Sequence, residues 1–343
     1  MKIKITIGIP VYKSVDYIEQ TMMSVLSQTF CDFEILIVDD CGNDGSIDKI
    51  LQLQSKHPRG NSIRILHNNS NRGVSFCRNR IIDEAQGHFL YFMDSDDIIE
   101  PNTIQLLFSF MDKYKANVVY ASYDIEDLVA KNPKQFYKKD FLLFSENDSL
   151  AEYAFRYNQV FHVSVCNCLI DIAFLRQNGI RFINTDFWED MAFTYTLLPK
   201  VKNAVILSDI TYHYLLRPGS LSHYQKRNFY HKDEIQNNYI AINYLKENCI
   251  KYKGRAFLPY YVYNIEMCSF YMICHIIKHA YKINPKYTYA EIRSMVRHPL
   301  SICDIITFRD KIIPNLFFYF LGIMPIMLFV PTIHLIGKIK KVI

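Results

Sequence analysis

The chain has 343 residues, half of them hydrophobic and 49 of them tyrosine or phenylalanine (25 and 24), which excludes a disordered polymer and allows one or two domains with a large core. A formal net charge of +5 is too small an excess to argue by itself for a nucleic-acid partner, and none is expected. The nine cysteines are odd in number and scattered; Cys166-Asn167-Cys168 lacks a zinc spacing and has no complementing pair, so they read as reduced thiols of a cytosolic protein.

Residues 1–10 alternate apolar and polar side chains, Ile3, Ile5, Ile7 and Ile9 against Lys2, Lys4, Thr6 and Gly8. This is a strand pattern without the apolar core of a signal peptide. Asp16 and Glu19 have capping-box spacing, and Ile18, Met22, Val25 and Leu26 follow at helical spacing. Phe33–Val38 reads as a second strand, buried on both faces, that runs into Asp39 and Asp40. A turn-rich loop, Cys41 to Ser46, leads to a helix from about Ile47, and Ile63–His67 is a third strand. Ser75–Ala85 is a helix carrying Arg78 and Asn79 in its first turns.

Phe89–Met93 is an unbroken apolar run that ends in Asp94-Ser95-Asp96-Asp97. Carboxylates there would lie at the carboxyl edge of a sheet, where open α/β folds place ligands, and three like charges so close point to a shared cation. A plain polar exit from a strand is the alternative. Pro101 suits the start of the next helix, with an inner face of Leu106, Leu107, Phe110 and Tyr114, and Val118–Ser122 is a further strand. Strand and helix alternate with short loops, so the first 125 residues read as a parallel, doubly wound sheet.

Tyr123–Ser149 is polar, holds Lys131, Lys134, Lys138 and Lys139, and reads as a loop or hairpin with a solvated face. Phe187-Trp188-Glu189-Asp190 places the only tryptophan beside two acids that open a helix with Phe193, Tyr195 and Leu197. An acid pair at that position is either a dipole-matched cap or part of a site. Arg217-Pro218-Gly219-Ser220-Leu221-Ser222-His223 is a loop with anion-binding side chains. Residues 232–282 are helical, and their stripe of Tyr260, Tyr261, Tyr263, Phe270 and Tyr271 reads as core. Residues 312–336 are apolar, preceded by Arg309 and Lys311 and followed by Lys338, Lys340 and Lys341. Pro325, Pro331 and His334 count against a straight span, so three readings stay open: an interfacial or re-entrant anchor, a true span, and a buried helix.

Taken together, Ile9-Pro10-Val11-Tyr12, Val38-Asp39-Asp40, Asn71-Arg72-Gly73-Val74-Ser75 with Arg78-Asn79, Met93-Asp94-Ser95-Asp96-Asp97, and Trp188-Glu189-Asp190 with Phe193 resemble the family 2 inverting glycosyltransferases of bacterial polysaccharide biosynthesis. The resemblance covers residues 3–222. It implies the GT-A fold, a mostly parallel α/β sheet, with a nucleotide-binding half at 1–125 and an acceptor half at 150–222. Residues 223–343 would then be a helical, partly membrane-associated extension. It also implies a UDP-sugar donor, Mn²⁺ or Mg²⁺, and a saccharide acceptor that the apolar C-terminal segment would make lipid-linked, at the cytoplasmic face of a membrane.

By this resemblance Asp39 accepts a hydrogen bond from uracil N3, with Pro10 and Tyr12 lining the base pocket. Asp94, beside Ser95, holds the ribose and, with Asp96, the metal. Arg78 approaches the donor, and Arg217, Ser220 and Ser222 belong to a loop over the diphosphate. Asp190 is the expected base, with Glu189 as runner-up or orienter, and Asp97 and Trp188 face the acceptor. Two positions depart from the family pattern: Cys168 stands where many relatives have a lysine, and Cys41-Gly42 replaces the usual Gly-Ser. The competing functions are a nucleotidyltransferase and an inactive scaffold. The first would carry a Gly-rich loop where this chain has Pro10-Val11-Tyr12-Lys13, and the second would lack Asp94, Asp96 and Asp190.

Overall fold

The computed structural model describes residues 3–129, 132–157, 164–185, 187–217 and 229–342. Ser220 and Ser222 lie outside the described residues. The chain forms two compact units, residues 1–150 with 163–225, and residues 151–162 with 226–343.

The strands of the first unit are β1 (Ile5–Val11), β2 (Phe33–Asp39), β3 (Ile63–His67), β4 (Phe89–Phe92), β5 (Ile98–Ile99), β6 (Val118–Asp127), β7 (Gln135–Tyr137), β8 (Leu142–Phe144), β9 (Cys168–Asp171) and β10 (Ala204–Leu216). β1 is buried on both faces rather than half-exposed, so its polar Thr6 needs an internal partner. Glu34 supplies it, accepting from the Thr6 hydroxyl at 2.7 Å, the Gln86 amide at 2.7 Å and Arg64 Nε at 3.0 Å. The helices α1 (Ile18–Leu26), α2 (Ser46–Lys56), α3 (Val74–Glu84) and α4 (Thr103–Tyr114) follow the order expected from hydrophobic period. The Asp16–Glu19 box does not form, because α1 starts with Tyr17 at its N-cap and no side-chain cap bond.

The sheet runs β3-β2-β1-β4-β9-β6-β10-β5. β3, β2, β1 and β4 are mutually parallel, and so are β6 and β10. Between these groups lies β9, antiparallel to both β4 and β6. The first 125 residues therefore do not close a sheet alone: β4 and β6 are joined only through a strand from beyond residue 165. Four-residue β9 gave no period long enough to be read from sequence. The mostly parallel α/β class stands. The order turns at β1 and β4, and the crevice at their carboxyl ends is the topological switch point where such folds bind ligands.

The 123–149 segment is partly strand: β6 continues to Asp127 and β7 pairs back on it, with Tyr123 stacked on Tyr137 at 4.9 Å. Not all of its lysines are solvated. Lys139 is buried, and burial pushes its amine down to about 8.

Helices α5 (Ser149–Arg156), α6 (Ile172–Gln177) and α7 (Glu189–Leu197) follow in chain order. The second unit holds α8 (Lys232–Asn248), α9 (Leu258–Lys278), α10 (Tyr289–Met295), α11 (Ile302–Ile305), α12 (Ile312–Ile323) and α13 (Ile326–Ile339), with a short parallel pair β11 (Tyr230–His231) and β12 (Ile283–Asn284). The aromatic stripe is core, as expected: Tyr260, Tyr261 and Phe270 are buried, although Tyr271 is exposed. Phe155 packs on Phe257 and Tyr261, which explains why the end of α5 belongs to this unit. The apolar run 312–336 is two short helices broken at Met324-Pro325, and no described helix is long and apolar enough to cross a membrane.

β9 welds the sheet through Leu169, which is fully buried and registers with Tyr91 on one side and Val119 on the other. Leu169→Ala is expected to cost about 2–5 kcal/mol of unfolding free energy, read from urea denaturation.

Candidate active site

The carboxyl end of β4 carries Asp94, Ser95, Asp96 and Asp97, and the four side chains go to different places. Asp94 keeps 31% of its side-chain surface exposed at the crevice. Ser95 is buried, its hydroxyl 2.5 Å from that of Ser14 and its carbonyl accepting from Thr21. It ties the strand end to the loop after β1 rather than offering a hydroxyl to a nucleotide sugar. Asp97 is 0% exposed. Its carboxyl accepts from the Tyr212 hydroxyl at 2.6 Å and the Leu215 amide at 2.9 Å, anchoring β10. The expected acceptor-side role of Asp97 is thus corrected: it does not reach solvent. Burial, with Asp94 and Asp96 close by, pushes its pKa well above the usual carboxylate range, and the Tyr212 hydroxyl and Leu215 amide oppose the shift.

Asp97 fixes the end of β10 and so places Arg217 two residues further on. Arg217 Nε pairs with Asp96 Oδ2, and its guanidinium lies over the Tyr17 ring at 4.9 Å. Burial and the neighbouring Asp94 raise the Asp96 pKa, and Arg217 opposes them.

Helix α3 supplies the other cation. Arg78 is 3% exposed. Its Nη1 donates to Glu189 Oε1 at 2.9 Å and Asp190 Oδ1 at 2.6 Å, and its Nη2 to Asp94 Oδ1 at 3.0 Å. The acids of α7 and the acid of β4, almost a hundred residues apart in sequence, therefore meet on one guanidinium. Two other α3 side chains hold the α7 approach in place. Ser75 Oγ donates to the Thr185 carbonyl at 2.9 Å, and Asn79 bonds both the carbonyl and the amide of Phe182, at 2.8 and 2.9 Å. Trp188, expected beside the acceptor, occupies the N-cap of α7 with φ +61°, a left-handed conformation costly for a bulky residue, and is only partly buried.

Asp190 retains 22% side-chain exposure beside the buried Arg78. Burial pushes its pKa up, Arg78 holds it down, and Glu189 and Asp94 raise it again; the balance lies at about 7. Glu189 is raised as well, first by burial. A carboxylate poised near neutrality is suited to take a proton from a hydroxyl.

At the end of β2, Asp39 accepts from the Cys41 amide at 3.0 Å and meets His67 Nδ1 at 2.9 Å. Sequence reading missed His67; the signal was its place at the end of the neighbouring strand β3. A carboxylate has four lone-pair sites, so Asp39 keeps acceptor capacity. Tyr12 is exposed beside the partly buried Pro10 at the end of β1. Asp40, also given no role from sequence, is buried and accepts from Asn68 Nδ2, the Arg72 amide and the Gly73 amide, at 2.7, 2.8 and 2.8 Å. It pins the loop that leads into α3. The Cys41-Gly42 departure has a local reason: Cys41 takes the left-handed turn at φ +63°, and a Cβ on Gly42 would lie 2.7 Å from the Lys13 amide nitrogen. Cys168 is buried, its thiol turned to the Val165 carbonyl, so it offers no substitute for a lysine there.

The crevice formally holds four carboxylates, Asp94, Asp96, Glu189 and Asp190, against two guanidiniums, Arg78 and Arg217. Among the described residues no three or more His, Cys, Asp or Glu side chains are grouped to hold a metal ion on their own.

The mostly parallel α/β sheet, with its acid-lined crevice at the switch point, matches the GT-A fold of a solved glycosyltransferase. TarS of S. aureus, solved in complex with UDP-GlcNAc, is similar to 93% of this chain and 90% of its own with a TM-score of 0.63, at 19% identity, which bears on the fold. The Glycosyl transferase family 2 profile matches residues 6–179, just over half of the chain, and the chain belongs to that family: it is a glycosyltransferase. Among relatives, TuaG of Bacillus subtilis, whose name assigns it to teichuronic acid biosynthesis, is 28% identical over 62% of this chain and 79% of its own length. WfaP of Escherichia coli, named as a UDP-Glc:alpha-D-GlcNAc-diphosphoundecaprenol beta-1,3-glucosyltransferase, is 26% identical over 73% of this chain and 98% of its own. Other relatives are longer: the match spans 35% of the poly(ribitol-phosphate) beta-glucosyltransferase of Bacillus spizizenii.

Removing Arg78 leaves three acids facing one another with no buried cation. Arg78→Met is expected to cost about 3–5 kcal/mol of unfolding free energy at pH 8, and less at pH 5.5 where the carboxyls protonate. Urea melts at the two pH values measure the difference, and equal losses would contradict the clamp.

Proposed function

We propose that the protein transfers a sugar, with inversion, from a UDP-sugar to a hydroxyl of a lipid-linked saccharide acceptor in cell-surface polysaccharide synthesis, at the cytoplasmic face of a membrane and with Mn²⁺ or Mg²⁺. The observation that carries this reading is the carboxylate of Asp190, poised at about 7 and joined through Arg78 to Asp94. The donor complex of TarS and the acceptor in WfaP's name support the substrate classes.

In this reading Asp39 accepts from uracil N3–H while His67 and the Cys41 amide hold it in place, and Pro10 and Tyr12 flank the base. Asp94 bonds the ribose. Asp94 and Asp96 would hold the divalent ion, a hard cation suited to carboxylate oxygens. The formal excess of two carboxylates over guanidiniums in the crevice would suit a divalent cation. When bound, that ion neutralises charge growing on the departing diphosphate. Asp190 takes the proton of the acceptor hydroxyl on the face away from UDP, and Arg78 and Glu189 orient it. Trp188, half-exposed at the start of α7, flanks the acceptor, and Arg217 approaches the diphosphate.

A UDP-release screen of nucleotide sugars with Mn²⁺, with and without chelator, tests donor and metal together. Turnover that survives chelation removes the metal from the reading. Asp190→Asn is expected to lower transfer by about 10²–10⁴-fold with UDP binding retained. Because the base must be ionised, the wild-type rate should rise with pH through about 7 and level above it. Near-wild-type transfer by the variant would place the base elsewhere.

Arg217 competes with the metal for Asp96. Arg217→Ala should therefore tighten Mn²⁺ binding to the donor-free protein, followed by electron paramagnetic resonance of free Mn²⁺, while weakening UDP. Loss of both affinities would contradict the competition.

A further inference from the structure

The second unit presents an apolar surface that its own packing does not use. Residues 312–337 contain no Asp, Glu, Lys or Arg, yet the segment is not sequestered. In α12, Asn315, Phe318 and Leu321 face inward, whereas Ile313, Phe317 and Phe320 are 81%, 39% and 50% exposed. Those three lie at i, i+4 and i+7, one helical stripe. In α13, Phe329, Ile333 and Gly337 are buried, whereas Leu328, Leu335 and Ile339 are 60%, 63% and 72% exposed, with Met327 at 87% beside them. Each helix therefore has two apolar faces, one packed and one bare. A run of large side chains on this scale is unusual for a free surface.

The bare faces are held rigidly. Asn315 Nδ2 donates to the Pro259 and Lys311 carbonyls at 3.1 and 2.8 Å, and its Oδ1 meets His298 Nε2 at 3.2 Å. Gly322 lets α12 come close to the 296–297 backbone, where a Cβ would lie 2.7 Å from the Val296 carbonyl oxygen. Arg293 Nη1 donates to the Met324 carbonyl at 3.1 Å, satisfying the helix end at the break. The break is thus built into the unit, and the pair of helices stays as two short pieces, neither able to span a bilayer.

Cations bracket the apolar segment: Arg309 and Lys311 before it, Lys338, Lys340 and Lys341 after it, the last three exposed. A bare apolar stripe bounded by lysines complements an anionic lipid surface. We propose that α12 and α13 form a monotopic docking surface that lies in the interface of an anionic membrane, with Phe317, Phe320, Met327, Leu328 and Leu335 entering the acyl boundary and Lys338, Lys340 and Lys341 at the headgroups. The inference concerns binding alone and stands or falls separately from sugar transfer.

The test is co-sedimentation of the full chain with vesicles of phosphatidylcholine alone or with about one third phosphatidylglycerol. The wild type is expected to bind the anionic vesicles and to be weakened by 0.5 M salt, roughly as surface screening dictates. Phe320→Ser with Met327→Ser and Leu335→Ser should lower binding at least about tenfold, and Lys338→Ala with Lys340→Ala and Lys341→Ala should do likewise at low salt. These positions are exposed, so thermal melts and UDP release should stay at wild-type values and show that the variants fold. Wild-type protein that stays in the supernatant, or apolar variants that bind as well as wild type, would overturn the proposal. A wild-type dimer on gel filtration that the apolar substitutions dissociate, without vesicle binding, would assign the surface to a second copy instead.

Discussion

The guanidinium of Arg78 is what the crevice depends on. A carboxylate at the end of β4 and two on α7 converge at the switch point, and burial makes the two on α7 costly to ionise. A lysine would offer one point charge; the planar fork of arginine reaches Asp94 with one nitrogen and both Glu189 and Asp190 with the other. The interaction does two things. It lets the two acids of α7 and the acid at the end of β4 share a wall, and it sets the balance on Asp190, where desolvation and the neighbouring acids push upward and Arg78 pushes down. A carboxyl balanced at about 7 is the outcome of that opposition, so the structural clamp and the electrostatic tuning are the same contact.

Around it, several acids at strand ends serve the frame. Asp40 holds the loop that launches α3, Asp44 accepts from the Val15 amide and the Ser46 hydroxyl to join the loops after β1 and β2, and Asp97 anchors β10. Each converts the free amides or hydroxyls of a loop into fixed geometry, and each lies a residue or a few from an acid left facing the crevice. The strand ends therefore divide their carboxylates between positioning and exposure: Asp39 against Asp40, Asp94 and Asp96 against Asp97. The alternating direction of successive side chains at a strand exit helps produce this division.

That division marks how far the sequence could be read. Apolar runs ending in acids located the β2 and β4 exits, and the spacing of Arg78 and Asn79 put them early in α3. Which carboxylate turns inward was not legible, because it depends on partners such as Tyr212 and Leu215 that lie more than a hundred residues away. The same holds for Ser95, whose hydroxyl is taken by Ser14, and for His67, whose relevance comes from register between β2 and β3. β9 escaped for another reason: four residues, Cys168 to Asp171, carry too little pattern, and only pairing on both sides defines them. In the C-terminal segment the hydropathy was legible, but the break was forced by Pro325 together with packing against residues 293–297.

The two arginines of the crevice differ in a way that bears on how it works. Arg78 is held by three carboxylates and stacks near the Phe182 ring, and to move it would strand all three acids. Arg217 has one carboxylate partner, Asp96, and rests over Tyr17. Its side chain keeps 18% exposure against 3% for Arg78. One cation is therefore part of the frame, and the other is exchangeable. Releasing Asp96 would cost Arg217 one ion pair and its place over the Tyr17 ring, whereas Arg78 could not turn away without giving up three ion pairs.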